Sequence, residues 1–161
     1  MAKDPEFAKV RNLSVERDKN RLYDDLKNDK ASVLYGRDSA DVFIMCMSLG
    51  FKEGQKVPLK NHYRVVNINA LSEEQEWMIK SLAIVDQSGL EVLKDTRKVL
   101  AIAEEYANAG VDLLHNRTYR GAGDYAKRLE EELQALASPT VSVPAQATSQ
   151  NGPPNEETVL K

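Results

Sequence analysis

Histidine is the residue type best suited to acid–base chemistry at neutral pH, and this chain has two. His115 follows Asp112 by three residues, a spacing that puts both side chains on one face of a helix. Such a pair could orient an imidazole for base catalysis or supply half of a metal site. More often, this pattern indicates a surface histidine near a helix C-terminus, where the helix dipole favours the positive form of the imidazole. We therefore expect no catalytic residues, no metal site and no enzyme.

The other reactive residue types also favour structural roles. Cys46 lies in the most apolar run of the chain, whereas a reactive thiolate requires an accessible, electropositive setting. As the single cysteine, it has no partner for an internal disulfide. Glu104 and Glu105 have no histidine at metal-ligand spacing, so we expect them on a solvated helix face. Trp77 is expected to anchor the core, and no cofactor is expected.

A basic stretch that begins with Gly50 and contains Gly54, residues 50–60, is the most distinctive part of the sequence. Lysines on a loop neutralise phosphates of any nucleotide sequence, although a solvated loop is the simpler interpretation. The spacing matches neither a phosphate-binding P-loop nor a dinucleotide fingerprint. A second basic segment occupies residues 117–128. The candidate DNA- or partner-binding residues from these segments are Lys52, Lys56, Lys60, Arg64, Arg117 and Arg120.

Composition restricts the class of protein. The chain has 161 residues, of which 42% are hydrophobic and 29% charged, with a net charge of -3. These values are typical of a globular domain, and no apolar run approaches the length of a membrane helix. The N-terminal residues lack the apolar core of a signal peptide, so we expect a cytoplasmic protein without membrane partners. The acidic balance argues against a general nucleic-acid binder.

Three regions are predicted along the chain. Residues 138–161 contain four prolines and many small polar residues, so this segment buries too little apolar surface to offset its ordering entropy. We expect a disordered tail there, a flexible N-terminus over residues 1–12, and one helical domain over residues 13–137. Truncation after Ala137 should leave the thermal midpoint of unfolding nearly unchanged.

The fold class is predicted as mainly α, a compact domain of about five helices with one irregular loop or short strand. Ser14 is expected to cap a helix over residues 15–28. Asp38 or Ser39 is expected to cap the next helix, which is apolar on all sides and therefore central. Phe43 should lie in its core, and Gly50 should end it.

The second half of the domain contains further helix signals. Residues 51–69 read as a loop with one strand-like segment and no obvious partner strand. Ser72 and Gln75 form a capping box for a helix that Gly89 ends. Thr96 should cap the longest helix. Asp124 should cap the last helix, whose inward residues are predicted to be Ala126, Leu129, Leu133 and Leu136.

Two segments carry a resemblance to a known family. The segment 41–59, DVFIMCMSLGFKEGQKVPL, combines an apolar helix, a Leu-Gly-aromatic turn and a basic loop that ends at a proline. The segment 103–111, AEEYANAGV, forms a second block. Together they resemble the small Dnd (DNA phosphorothioation) system-associated protein family, fourth type, over residues 31–114. The resemblance implies a prokaryotic DNA-modification or antiphage defence context and supplies no catalytic residues.

Two functions follow from these observations. The leading hypothesis is a non-enzymatic accessory protein that interacts with protein partners in a defence or DNA-modification complex. The alternative is a DNA-binding regulator that uses the basic segments around residues 52–64 and 117–128. Salt-dependent affinity for DNA separates the two, because phosphate contacts release counterions.

Overall fold

A computed structural model of the chain describes residue 10 and residues 12–120 and 124–137. Its strands and helices are β1 (Asn12–Glu16), α1 (Asn20–Asn28), α2 (Ser39–Lys52), β2 (His62–Asn67), α3 (Glu73–Gln87), α4 (Thr96–Tyr119) and α5 (Tyr125–Ala137). Short 3₁₀ turns occupy Arg17–Lys19, Ile68–Ala70 and Leu90–Lys94. The mainly α prediction with about five helices is thus confirmed. The predictions for residues 1–9 and 138–161 lie outside the described residues.

The packing of α2 against α4 forms the centre of the domain. Asp38 begins α2 by accepting a hydrogen bond from the Asp41 amide at 2.8 Å, as one of the two predicted caps. Phe43 is fully buried and Cys46 is buried beside it, which confirms both predictions. Two glycines set the distance between the helices. A Cβ on Gly50 would lie 2.1 Å from the Tyr106 carbonyl oxygen, and one on Gly110 would lie 1.7 Å from that of Cys46.

A two-stranded antiparallel sheet lies against α4, and it corrects the first predicted helix. Ser14 was expected to cap a helix, but it lies within β1, where its amide donates to the Glu104 carboxylate at 2.6 Å. Leu13 and Val15 are buried on either side of it, so the local apolar period is two rather than 3.6. The partner strand is β2, with Leu13 opposite Val66 and Ser14 opposite Arg64 across an irregularity in register.

Helix boundaries agree with the sequence signals in some places and differ in others. The capping box of Ser72 and Gln75 is present in full. Asp95, not Thr96, caps α4, because the Asp95 side chain accepts from the Lys98 amide at 3.1 Å. Gly50 does not end α2, which continues for two more residues. A glycine is needed at this position because α4 approaches the backbone of α2 closely there.

Two predictions of buried residues are wrong. Trp77 is 54% exposed, because it lies on the side of α3 that faces away from the core. On α5, Leu133 and Leu136 are 57% and 74% exposed and Ala126 is exposed as well, although all three were expected to point inward. Tyr125 is the buried residue of α5, so this helix is held mainly by its first turns. Of the described helices, none is long and apolar enough to cross a membrane.

Candidate functional site

The lysine at the centre of the predicted basic loop is held by acidic side chains. Lys56 Nζ lies 3.0 Å from the nearer carboxylate oxygen of Asp86. It lies 3.8 Å from a carboxylate oxygen of Glu105. It also lies 5.4 Å from the centre of the Tyr106 ring, within range of a cation–π contact. The Tyr106 hydroxyl donates to Asp86 at 2.6 Å. Lys56 therefore joins the loop to α3 and α4, and its charge is compensated within the domain.

The pKa values of this cluster follow from these contacts. Burial alone would raise the pKa of Asp86, but hydrogen bonds from Tyr106, Gln87 and Lys56 lower it. Burial and the bond to Asp86 together raise the pKa of Tyr106 to about 12. Asp86 is thus ionised and Tyr106 protonated at neutral pH, and neither group is poised for proton transfer there.

Backbone contacts fix the rest of the same loop. The Val57 amide donates to the Glu105 carbonyl oxygen at 3.1 Å, and the buried Asn108 side chain donates to the Val57 carbonyl oxygen at 3.1 Å. The Glu16 carboxylate accepts the amides of Lys60 and Asn61 at 2.7 and 2.8 Å. The hydrogen bond from the Lys60 amide is the main reason that the pKa of Glu16 is lowered. The loop is exposed, but its backbone is anchored at three points.

The six candidate binding residues divide into two groups. Lys52 pairs with Glu132 at 3.0 Å, and Arg117 pairs with Glu53 at 2.6 Å. Together with Lys56, these residues are engaged within the chain. Lys60, Arg64 and Arg120 are exposed, and in the described part of the chain no ion pair includes them. The structure does not bring the six together as one basic surface.

The predicted catalytic candidates also have structural partners. His115 does not contact Asp112; its Nε2 lies 3.2 Å from the Asp25 carboxylate on α1, and Asp112 pairs with Lys19 instead. His115 is therefore a link between α1 and α4, not the free surface histidine that was expected. Over the residues that the structure describes, no three His, Cys, Asp or Glu side chains group as metal ligands.

Glu104 corrects a second expectation, because it does not lie on a solvated face. Its carboxylate is partly buried against β1, and burial raises its pKa despite the hydrogen bond from Ser14. Cys46 is fully buried, and burial raises the pKa of its thiol. The raised pKa keeps the thiol protonated and therefore unreactive at neutral pH.

An apolar groove runs along α2 on the surface of the domain. We define the α2 groove as two hollows that meet at Met45 and Ser48. One, of about 190 Å³, lies between α2 and α5 and is lined by Leu129, Leu133 and Leu136. The other, of about 350 Å³, leads past Ile44 to the exposed Met78 of α3; its full lining is Leu34, Arg37, Asp41, Ile44, Met45, Ser48 and Met78.

Charges at the rim of the α2 groove are mostly compensated, and unpaired carboxylates lie beside it on α5. The pairs Lys52–Glu132 and Arg117–Glu53 cancel beside α5, and Arg37 and Asp41 both line the opposite end. On the outer side of α5, Glu130 and Glu131 are exposed, and no ion pair described in the structure includes them. The groove is therefore apolar at its floor, and the outer side of α5 beside it is negative.

This groove was not predicted from the sequence, because α2 was expected to be apolar on all sides and therefore buried. A signal is present: Asp41, Met45, Ser48 and Lys52 recur at spacings of four, three and four, so one face of the helix carries polar residues. That face is the floor of the groove. The exposed leucines of α5 give no comparable signal, because an apolar stripe has the same pattern whether a core or a partner covers it.

The fold and the groove define a small, mainly helical domain with one two-stranded sheet. The chain belongs to the family described as DNA sulphur modification system-associated protein 4, whose family model matches residues 12–148. The match confirms the resemblance carried by segments 41–59 and 103–111, and it associates the chain with a DNA sulphur modification system. Comparison with curated proteins and with solved structures finds no match.

Proposed function

We propose that the protein is a non-enzymatic accessory component of a DNA sulphur modification system that binds a protein partner in the α2 groove. The observation that carries the proposal is the continuous apolar surface from Met78 across Met45 to Leu133 and Leu136. Exposed apolar surface that is contiguous and rimmed by polar groups is typical of interaction sites.

The state of the chemically capable side chains supports a non-enzymatic role. Cys46 is buried among apolar residues, Glu104 holds a strand amide, and His115 is paired with Asp25. Asp86 and Tyr106 hold the loop through Lys56. Each of these groups stabilises the fold, and none is directed into the α2 groove.

The shape and charge of the groove favour an amphipathic helix as its occupant. The floor follows α2 from Asp41 to Lys52, about 16 Å at 1.5 Å per residue, which matches about three turns of a second helix. Leucine-type side chains at helical spacing would fill the two hollows. Glu130 and Glu131 on the outer side of α5, beside the groove, favour lysine or arginine on the flank of that helix. The expected partner is therefore a basic amphipathic helix of another protein of the system.

Co-purification tests the proposal. The tagged chain would be co-expressed with each protein component of its DNA sulphur modification system, and the retained component would be measured by quantitative mass spectrometry. Leu133→Ser/Leu136→Ser should reduce the retained partner at least about tenfold, equivalent to about 1.4 kcal/mol. Both residues are exposed, so the thermal midpoint of unfolding should change little.

A matched control is available on α3 and the turn after it. Val85 and Leu90 are exposed to a similar degree, 62% and 68%, but lie outside the α2 groove. Val85→Ser/Leu90→Ser should retain the partner at the wild-type level. Equal losses in the two double variants, or no retained component with the wild type, would contradict the proposal.

A further inference from the structure

Pairing of the two strands brings together exposed cations that are far apart in sequence. The Arg17 amide donates to the Asn61 carbonyl oxygen at 2.8 Å, so Arg17 lies beside Lys60 at the end of the sheet. Arg64 lies opposite Ser14, three residues before Arg17. We call Arg17, Lys60 and Arg64 the sheet-end cluster. All three are exposed, and the described ion pairs include none of them.

The carboxylates around this cluster are mostly turned inward. Glu16 is 9% exposed, and both its carboxylate oxygens are engaged by the amides of Lys60 and Asn61. Glu104 is directed at the Ser14 amide beneath the sheet. Asp18 is the exposed carboxylate of the adjoining turn. Solvent therefore meets three positive side chains and one negative side chain at this end of the sheet.

We infer that the sheet-end cluster binds the phosphate backbone of duplex DNA. Exposed lysine and arginine side chains contact phosphates without reading bases, so binding should be independent of sequence. The anchored backbone of residues 57–61 holds Lys60 in place and lowers the ordering cost of such contacts. The cluster shares no residue with the α2 groove, so the inference stands independently of the proposed function.

Salt dependence gives the expected signature. Each phosphate contact contributes about 0.9 to the slope of log affinity against log salt, so three contacts give a slope of about −2.7. Between about 50 and 200 mM salt, this slope corresponds to a roughly 40-fold loss of affinity. Because the protein carries a net charge of -3, the binding should be weak and detectable mainly at low salt.

The experiment is a titration of a short labelled DNA duplex with the full chain, followed by fluorescence anisotropy at several salt concentrations. The wild type should bind two unrelated duplexes equally, with the slope given above. Arg17→Gln/Lys60→Gln/Arg64→Gln should weaken binding at low salt at least tenfold and bring the slope close to zero.

The matched control is Lys30→Gln/Arg97→Gln/Lys98→Gln, which removes three exposed cations from other parts of the surface. It makes the same change in net charge and should retain the slope of the wild type. No duplex binding at low salt, or equal weakening in both triple variants, would overturn the inference. Unchanged thermal midpoints in both variants would exclude unfolding as the cause of lost binding.

Discussion

At the scale of single residues, the closest constraint is the contact between Gly50 and Gly110. Each glycine allows the backbone of the facing helix to approach, and each would place a Cβ within 2.1 Å or less of a carbonyl oxygen. A contact this short with backbone is not relieved by rotating a side chain. The spacing of α2 from α4, and therefore the position of the groove on the far side of α2, depends on these two residues.

Gly110→Ala should consequently destabilise the domain by about 3 kcal/mol or more, at the upper end of the cost of overpacking. The measurement is the free energy of unfolding in urea. Gly89→Ala is the control, because a Cβ there meets nothing within 4 Å and the backbone is extended. Similar stabilities of the two variants would show that the helices can separate without cost.

Glu104 gives a prediction with a defined pH dependence. Burial raises its folded pKa above the ordinary glutamate value of 4.5, so the ionised carboxylate opposes folding at neutral pH. Glu104→Gln keeps an acceptor for the Ser14 amide and removes this charge. The variant should be more stable than the wild type at pH 7, and the difference should disappear as the pH falls below about 4.5. A variant that is less stable at pH 7 would mean that the charge itself holds β1.

At the scale of elements, most helices could be predicted from the sequence. The predictions failed where the structure depends on contacts with residues that are distant in sequence. The caps at Asp38 and Ser72 depend on residues three positions apart, and both could be predicted. β1 could not, because its partner β2 lies about 50 residues later and its few apolar residues suit a short helix as well. The apolar stripe of α5 was wrongly predicted to be buried, because periodicity shows which residues share a face and does not show what covers that face.

Substitutions of Phe43 and Trp77 compare a residue that is buried as predicted with one that is exposed instead. Phe43 is fully buried and Trp77 is 54% exposed, although both were predicted to lie in the core. Phe43→Ala should reduce the free energy of unfolding by about 3–5 kcal/mol. Trp77→Ala should cost less than about 1 kcal/mol, since it removes little buried area and one contact with Lys80. Thermal or urea unfolding of both variants would compare them, and a larger loss at Trp77 would contradict the fold.

At the scale of the whole molecule, half of the cations predicted to bind a partner are paired with carboxylates of the same domain. The candidate binding residues from the sequence divide into paired cations that stabilise the fold and exposed cations, of which Lys60 and Arg64 lie at the end of the sheet. This division was not predictable, because it depends on carboxylates that are distant in sequence, contributed by α3, α4, α5 and Glu53 after α2. The apolar α2 groove is open to a partner, and partner binding in that groove is the central claim.

Site-specific photo-crosslinking tests that claim most directly. A photoreactive amino acid in place of Ser48 would lie at the floor of the groove, and one in place of Ser81 would lie on the exposed face of α3 as the control. We predict that the Ser48 position crosslinks to a basic amphipathic helix of another protein of the DNA sulphur modification system, and that the Ser81 position does not. Crosslinks from the Ser81 position alone, or crosslinks from the Ser48 position to an acidic or non-helical segment, would contradict partner binding in the α2 groove.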